Sequence, residues 1–293
     1  GSEVCRQLIA SGHEVLAVGA PGEDRWRLDD LNGRVEFVPV DLFDSGSNLS
    51  EISSSRLDGA IHCAWYAKPG HYLTAAENLP AMQGSLRLFE HLWMGGCSRV
   101  VGVGTCFEYK LVERPLQEDD PVDPLTLYAA TKLSTCFVGR ELAKAFHGSF
   151  AWARLFYLYG PRENPARLVP DLAAKLLAGN RVAVTEGSQV RDYLHVSDVA
   201  RALVALVNTS SCGVYNVGCG EPHTVKEIIQ TIARSLDRED LVDFGARPPN
   251  LMDPPMVLAD NRRICNETGW QPQHTLASGI ADTLAWWSAQ LKS

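Results

Sequence analysis

The run Ser98-Arg99-Val100-Val101-Gly102-Val103-Gly104-Thr105 is short, apolar and closed by Gly-Thr, which reads as a buried strand. After a turn-rich segment it is followed by Leu127 to Phe146, long enough and periodic enough for a helix. The same alternation extends outward in both directions. Glu3 to Ser11 reads as a helix closed at Gly12, Leu79 to Trp93 as a second long helix, and Glu14 to Gly19, Val35 to Val40, Gly59 to Ala64 and Ser149 to Tyr159 as strands. Strands alternating with crossover helices predict an α/β chain with a doubly wound parallel sheet covered on both faces.

Past Pro161 the elements shorten and Pro and Gly become more frequent, although Val214 to Val217 still reads as a strand of the sheet. The expected organisation is a nucleotide-binding domain over residues 1–160, with residues 190–220 returning to it, and a smaller C-terminal substrate-binding lobe over residues 161–293, interleaved with it. A doubly wound nucleotide fold should open with an apolar strand leading into a Gly-rich turn. Here Gly1 leads straight into a helix, so Gly1 is read as the last glycine of a G-x-x-G-x-x-G whose strand and earlier glycines are missing from the sequence.

The 293 residues carry a formal charge of -8, and their 27 Lys and Arg are scattered, which argues against a nucleic-acid surface and for a small-molecule substrate. Eight cysteines stand at 5, 63, 97, 106, 136, 212, 219 and 265 with no C-x-x-C pair and no zinc-like His spacing, so no metal is expected. Reduced thiols and the lack of a secretory leader point to the cytoplasm. No apolar run approaches the roughly 20 residues needed to span a bilayer, so no membrane association is expected.

Tyr128 and Lys132 of Tyr-Ala-Ala-Thr-Lys lie four apart on a helix, so both side chains leave the same face. An ammonium beside a phenol is expected to hold its pKa down and make it a usable general acid or base. Alone, that spacing is also an ordinary surface pair. Thr105, at the C-terminal edge of a parallel strand where such sheets bind ligands, adds a hydroxyl to the same place.

With His62-Cys63-Ala64-Trp65, Gly104-Thr105 before Tyr109, Tyr128 to Lys132, Tyr159-Gly160-Pro161, Arg191 to Ala200, Tyr215-Asn216-Val217-Gly218 and Gly269-Trp270-Gln271-Pro272 in this order, the chain resembles a known family. It is similar to the extended short-chain dehydrogenase/reductases, the NAD(P)-dependent epimerases, dehydratases and ketoreductases of nucleotide sugars. The resemblance implies a Rossmann-type domain and a nucleotide-diphosphate sugar as substrate. It implies catalytic roles for Thr105, Tyr128 and Lys132, and cofactor contacts from Gly1, Asp41, Leu42, His62, Ala64, Trp65 and Lys132. Arg191 and Arg247 would clamp the substrate diphosphate, and Leu168 and Val169 would flank the base. A homodimer through the two long helices is implied as well. Plainer readings stand beside these: Asp41 and Asp198 as helix caps, His195 as a packed histidine, Trp270, Trp286 and Trp287 as core residues, and Cys106 as a small core thiol.

Departures from the family pattern narrow the reaction. Where water-eliminating members carry Asp-Glu after the catalytic Thr, this chain has Cys106 and Phe107, so a 4,6-dehydratase is disfavoured. Members that epimerise carbons 3 and 5 carry a cysteine where this chain has Phe107, and Cys106 is expected to aim its thiol away from substrate. The favoured reaction is reduction, or reverse oxidation, of the 4-keto group of a nucleotide-linked 6-deoxyhexose, as in deoxysugar biosynthesis. The alternative is a 4-epimerase; a non-catalytic nucleotide-binding protein is opposed by the intact Thr105, Tyr128 and Lys132. Tyr157 stands where many epimerases have a sugar-nucleotide-binding Asn. At the end of the second strand Gly19 replaces the acidic residue that would bind the ribose of NAD, and Arg25 and Arg27 follow, so NADP is preferred over NAD, with Glu23 and Asp24 pulling the other way.

Overall fold

Val, Ile and Ala dominate the runs that form the central strands, as segments covered on both faces require. The computed structural model describes residues 1–53, 57–250 and 253–290. The first half runs α1 (Ser2–Ala10), β1 (Leu16–Gly19), β2 (Glu36–Pro39), α2 (Ser50–Ser53), β3 (Gly59–His62), α3 (Asn78–Met94), β4 (Arg99–Thr105), α4 (Leu127–Ala145) and β5 (Ser149–Leu155). There follow β6 (Tyr157–Tyr159), α5 (Leu168–Leu177), β7 (Val182–Ala183), β8 (Val190–Arg191), β9 (Tyr193–His195), α6 (Val196–Asn208) and β10 (Gly213–Val217). The chain ends with β11 (His223–Thr224), α7 (Val225–Ser235), β12 (Val242–Asp243), β13 (Met256–Val257), α8 (Arg262–Thr268) and α9 (Leu276–Gln290).

Four strands form a parallel sheet in the order β10-β5-β4-β3. Alternate residues point to opposite faces. Val101, Ala151 and Tyr215 therefore pack with α6 residues such as Leu203 on one side, while Val100, Phe150 and Trp152 pack with Phe89 of α3 and Cys136 of α4 on the other. Gly84 lets α3 come this close, because a Cβ there would overlap the Leu42 carbonyl.

β1 and β2 pair with each other beside the four-stranded sheet, and the space between β1 and β3 is where a doubly wound order sets its first strand. One expectation is corrected. The segment Ser149 to Tyr159 is two strands, because after Leu155 the Phe156 N–H turns to Val217 and the Tyr157 N–H to Asp192, which moves β6 beside β9.

A second core lies in the C-terminal part, where Val169, Leu172, Leu176, Ile228, Ile232 and Ile280 meet between α5, α7 and α9. Among the described residues no helix is long and apolar enough to cross a membrane.

Candidate active site

Thr105 ends β4 and caps the short turn Cys106–Glu108, accepting from the Phe107 N–H at 3.3 Å while Glu108 accepts from the Thr105 N–H at 2.9 Å. This is a reciprocal capping box, and its T-x-x-E pattern was present in the sequence as a signal for Glu108, which sequence reasoning missed. The turn holds the Thr105 hydroxyl at the C-terminal end of the sheet.

Thr126 starts α4 by accepting from the Ala129 N–H at 3.2 Å, so Tyr128 and Lys132 fall in the first turns of the helix facing β4. The Tyr128 ring meets Tyr72 edge-on at 4.9 Å and Trp65 at 6.5 Å, and its phenol lies on the side of the Thr105 hydroxyl. Burial, followed by Tyr72, pushes the phenol above its usual range, with Thr105 opposing. The expected lowering by Lys132 is not what this geometry delivers. The ammonium donates instead to the Val103 carbonyl at 2.6 Å and lies 3.8 Å from the centre of the Trp65 ring. Burial holds Lys132 down to about 7, with Glu108 and Cys63 acting to raise it.

Cys106 is buried among Tyr109, Leu116 and Phe156, and burial pushes its thiol up to about 12. Phe107 meets Tyr157 edge-on, and Tyr157 stacks on Tyr193 at 5.5 Å. Arg191 lies over Tyr157 at 5.5 Å; it is almost fully buried and donates to Asp253 at 2.6 Å, so its guanidinium is already oriented. Arg247 sits apart on the exposed segment after β12. Leu168 opens α5 half-buried, but the Val169 side chain belongs to the lobe core and is not left to flank a base. Tyr72, Arg167 and Glu163, which the sequence reading missed, also converge here: Arg167 lies 5.2 Å from the Tyr72 ring, and burial pushes Glu163 up to about 8 against the opposing charge of Arg167.

The cleft between β1 and β3 gathers Gly1, Gly19, Arg25, Leu42, His62 and Ala64. His62 turns its ring into the core, bonded to Ser85 Oγ at 2.7 Å and held down to about 3 by burial and Lys132. Trp65 lies beyond this lining and donates to Asn78 at 2.8 Å. Asp41 accepts from the Phe43 N–H at 2.9 Å, capping a turn and not a helix. Arg25 lies over Phe37, whereas Arg27 is tied to the Arg162 carbonyl.

Further from the site, His195 is buried and bonded to Ser197, as a packed histidine should be. Asp198 is the third residue of α6 and caps nothing of its own helix; it receives the N–H groups of Gln273 and His274. Trp270 and Trp287 are buried, but Trp286 is half-exposed and stacks on Trp26.

Comparison with known proteins places these features in context. A model of the NAD dependent epimerase/dehydratase family matches residues 1–218. The chain is 29% identical to a UDP-glucose 4-epimerase of Mycolicibacterium smegmatis, over 97% of this chain and 94% of that protein. It is 31% identical to a dTDP-glucose 4,6-dehydratase of Streptomyces griseus, over 70% of this chain and 63% of that one. Its fold matches the crystal structure of UDP-glucose 4-epimerase with UDP-glucose from Thermotoga maritima at a TM-score of 0.86 and 23% identity, covering 99% and 96% of the two chains.

Proposed function

The chain belongs to the NAD-dependent epimerase/dehydratase family, and from that premise we propose that it inverts carbon 4 of a nucleoside-diphosphate hexose, as a 4-epimerase. The observation that carries this reading is the buried Thr105 beside the half-buried Tyr128, with the buried Lys132 behind them and side chains at 106 and 107 that supply neither acid nor base. Elimination of water needs such a pair; oxidation and reduction at one carbon do not. The 4-epimerase relatives match over nearly the whole chain, which supports the same choice over the 4-ketoreductase favoured by motifs alone.

The cofactor would lie across the C-terminal ends of β1 and β3, where Gly19, Arg25, His62 and Ala64 gather. NAD(P) bound there supplies the acceptor and donor of hydride. Tyr128 would take the proton from the carbon 4 hydroxyl and, once the sugar has turned the opposite face of carbon 4 toward the cofactor, return it to the same oxygen. Thr105 would hold that oxygen, and Lys132 would bond the nicotinamide ribose. Arg191, Tyr157 and Leu168 receive the nucleotide end, with Arg247 reaching in from its segment; UDP or dTDP is the nucleotide class.

A second reading, the NADP(H)-dependent 4-ketoreductase, is favoured by Gly19, which ends β1 where an acidic residue would select NAD, and by Arg25, which lies over Phe37 and lines the cleft. One experiment separates the two. With UDP-hexoses and catalytic NAD, interconversion at carbon 4 without net cofactor consumption is expected. Net oxidation of NADPH with 4-keto-6-deoxysugar nucleotides, and no interconversion, would establish the reductase instead.

Apolar side chains exposed on α3 and α4, namely Leu79, Met94, Phe137 and Val138, support a homodimer through these helices. A dimeric mass is expected in solution, and a monomeric one would contradict it.

A further inference from the structure

We propose that Glu108 is a positioning residue for the chemistry at Tyr128: its carboxylate clamps the end of β4 that carries Thr105 and stands as the fixed counter-charge behind Lys132. The proposal rests on the roles of Thr105, Tyr128 and Lys132 given above.

Glu108 is completely buried. Its Oε1 accepts from the Thr105 N–H at 2.9 Å and the Trp152 indole N–H at 3.0 Å, and its Oε2 accepts from Arg154 Nε at 2.7 Å. Burial pushes such a carboxyl up, whereas the guanidinium and the donated bonds favour its charged form. Arg154 is itself buried over the Tyr109 ring, so the pair is locked from below. Gly104 marks how tightly the clamp reaches β4, because a Cβ there would overlap both the Trp152 indole nitrogen and Glu108 Oε1. A buried ion pair of this kind is weak evidence for stability as such. What distinguishes this one is its position: one end fixes the backbone of Thr105, and the Trp152 ring whose indole N–H it accepts at 3.0 Å lies 6.0 Å from the Lys132 ammonium, which puts the carboxylate and the ammonium against the same side chain.

The titratable groups that face Glu108 are Cys106 and Tyr109 from its own turn, Arg154 from β5, and Tyr128, Lys132 and Cys136 from α4. Only Arg154 and Lys132 among them are cations. Arg154 stays charged at any working pH, which leaves Lys132 as the cation whose protonation responds to loss of the carboxylate.

The sign follows directly. A negative neighbour favours the ammonium, so removing it lets Lys132 lose its proton at lower pH. In Glu108→Gln, which keeps an acceptor toward the Thr105 N–H, the alkaline limb of the kcat profile is expected to move down by roughly 1 pH unit, with kcat reduced and KM for the sugar nucleotide little changed. Glu108→Asp should return the limb toward its original position. Should Glu108→Gln fail to fold, the neutral double variant Glu108→Gln/Arg154→Met, which removes both buried charges, keeps the question open to measurement. A purely structural role predicts that the folded double variant recovers the original profile; the counter-charge role predicts that it keeps the shifted one. A folded Glu108→Gln protein with an unmoved limb and unchanged kcat overturns the proposal. If instead Tyr128→Phe left turnover intact, the site reading itself would fail, whatever Glu108 does.

Discussion

Replacing Tyr128 by Phe is expected to lower turnover of the nucleoside-diphosphate sugar by about 10²- to 10⁴-fold, the contribution of a positioned general acid–base group. The substitution removes one oxygen from a ring whose contacts with Tyr72 and Trp65 are made by its carbon edges and faces, so the packing at the start of α4 survives. Thr105 remains held by its own backbone turn, independent of the phenol. Substrate affinity is therefore expected to stay within a few-fold, and the loss to appear in kcat. Unchanged melting temperature together with collapsed turnover is the signature to look for; equal turnover in the variant would remove Tyr128 from the chemistry.

The largest expected effect on stability comes from Asp198→Ala. The carboxylate is fully buried and receives the Gln273 N–H at 2.9 Å, the His274 N–H at 3.1 Å and His274 Nδ1 at 3.0 Å, and it pairs with Arg201. Truncation leaves those donors without an acceptor and Arg201 without its partner, while detaching the segment that leads into α9. Breaking a buried, hydrogen-bonded charge pair costs about 3–5 kcal/mol, which for a chain of this size corresponds to a fall in melting temperature of roughly 6–20 °C. Thermal unfolding followed by circular dichroism tests this. A fall of under about 2 °C would show that the carboxylate is not holding the C-terminal segment.

Much of the sheet was legible because strand and helix periodicity is a local property. The run ending at Thr105 was bounded to within a residue, and α4 likewise, since Thr126 and the periodic apolar face that follows it are written in consecutive residues. The capping box Thr224 to Glu227 at the start of α7 was equally available and went unread. The break at Phe156 was not visible, because two strands that differ only in which neighbour they pair with have the same local pattern.

Tyr128, Lys132 and Thr105 could be singled out because a helix places residues four apart on one face and a parallel strand ends where ligands bind, and because the order of the surrounding motifs resembles a known family. What the ammonium of Lys132 touches could not, since a flexible four-carbon side chain takes its direction from the surrounding packing, here from the Val103 carbonyl and the Trp65 ring. The same holds for Glu108 with Arg154 and for Asp198 with His274: each pair is far apart in the chain and adjacent only after folding. Sequence by itself determined the parallel layering of the sheet and pointed to Thr105, Tyr128 and Lys132 as the candidate groups at its C-terminal end, since both rest on short-range geometry. The tertiary structure alone decided which buried charges stand behind those groups, because long-range partners in a low-dielectric interior are chosen by packing and hydrogen-bond satisfaction, not by position along the chain.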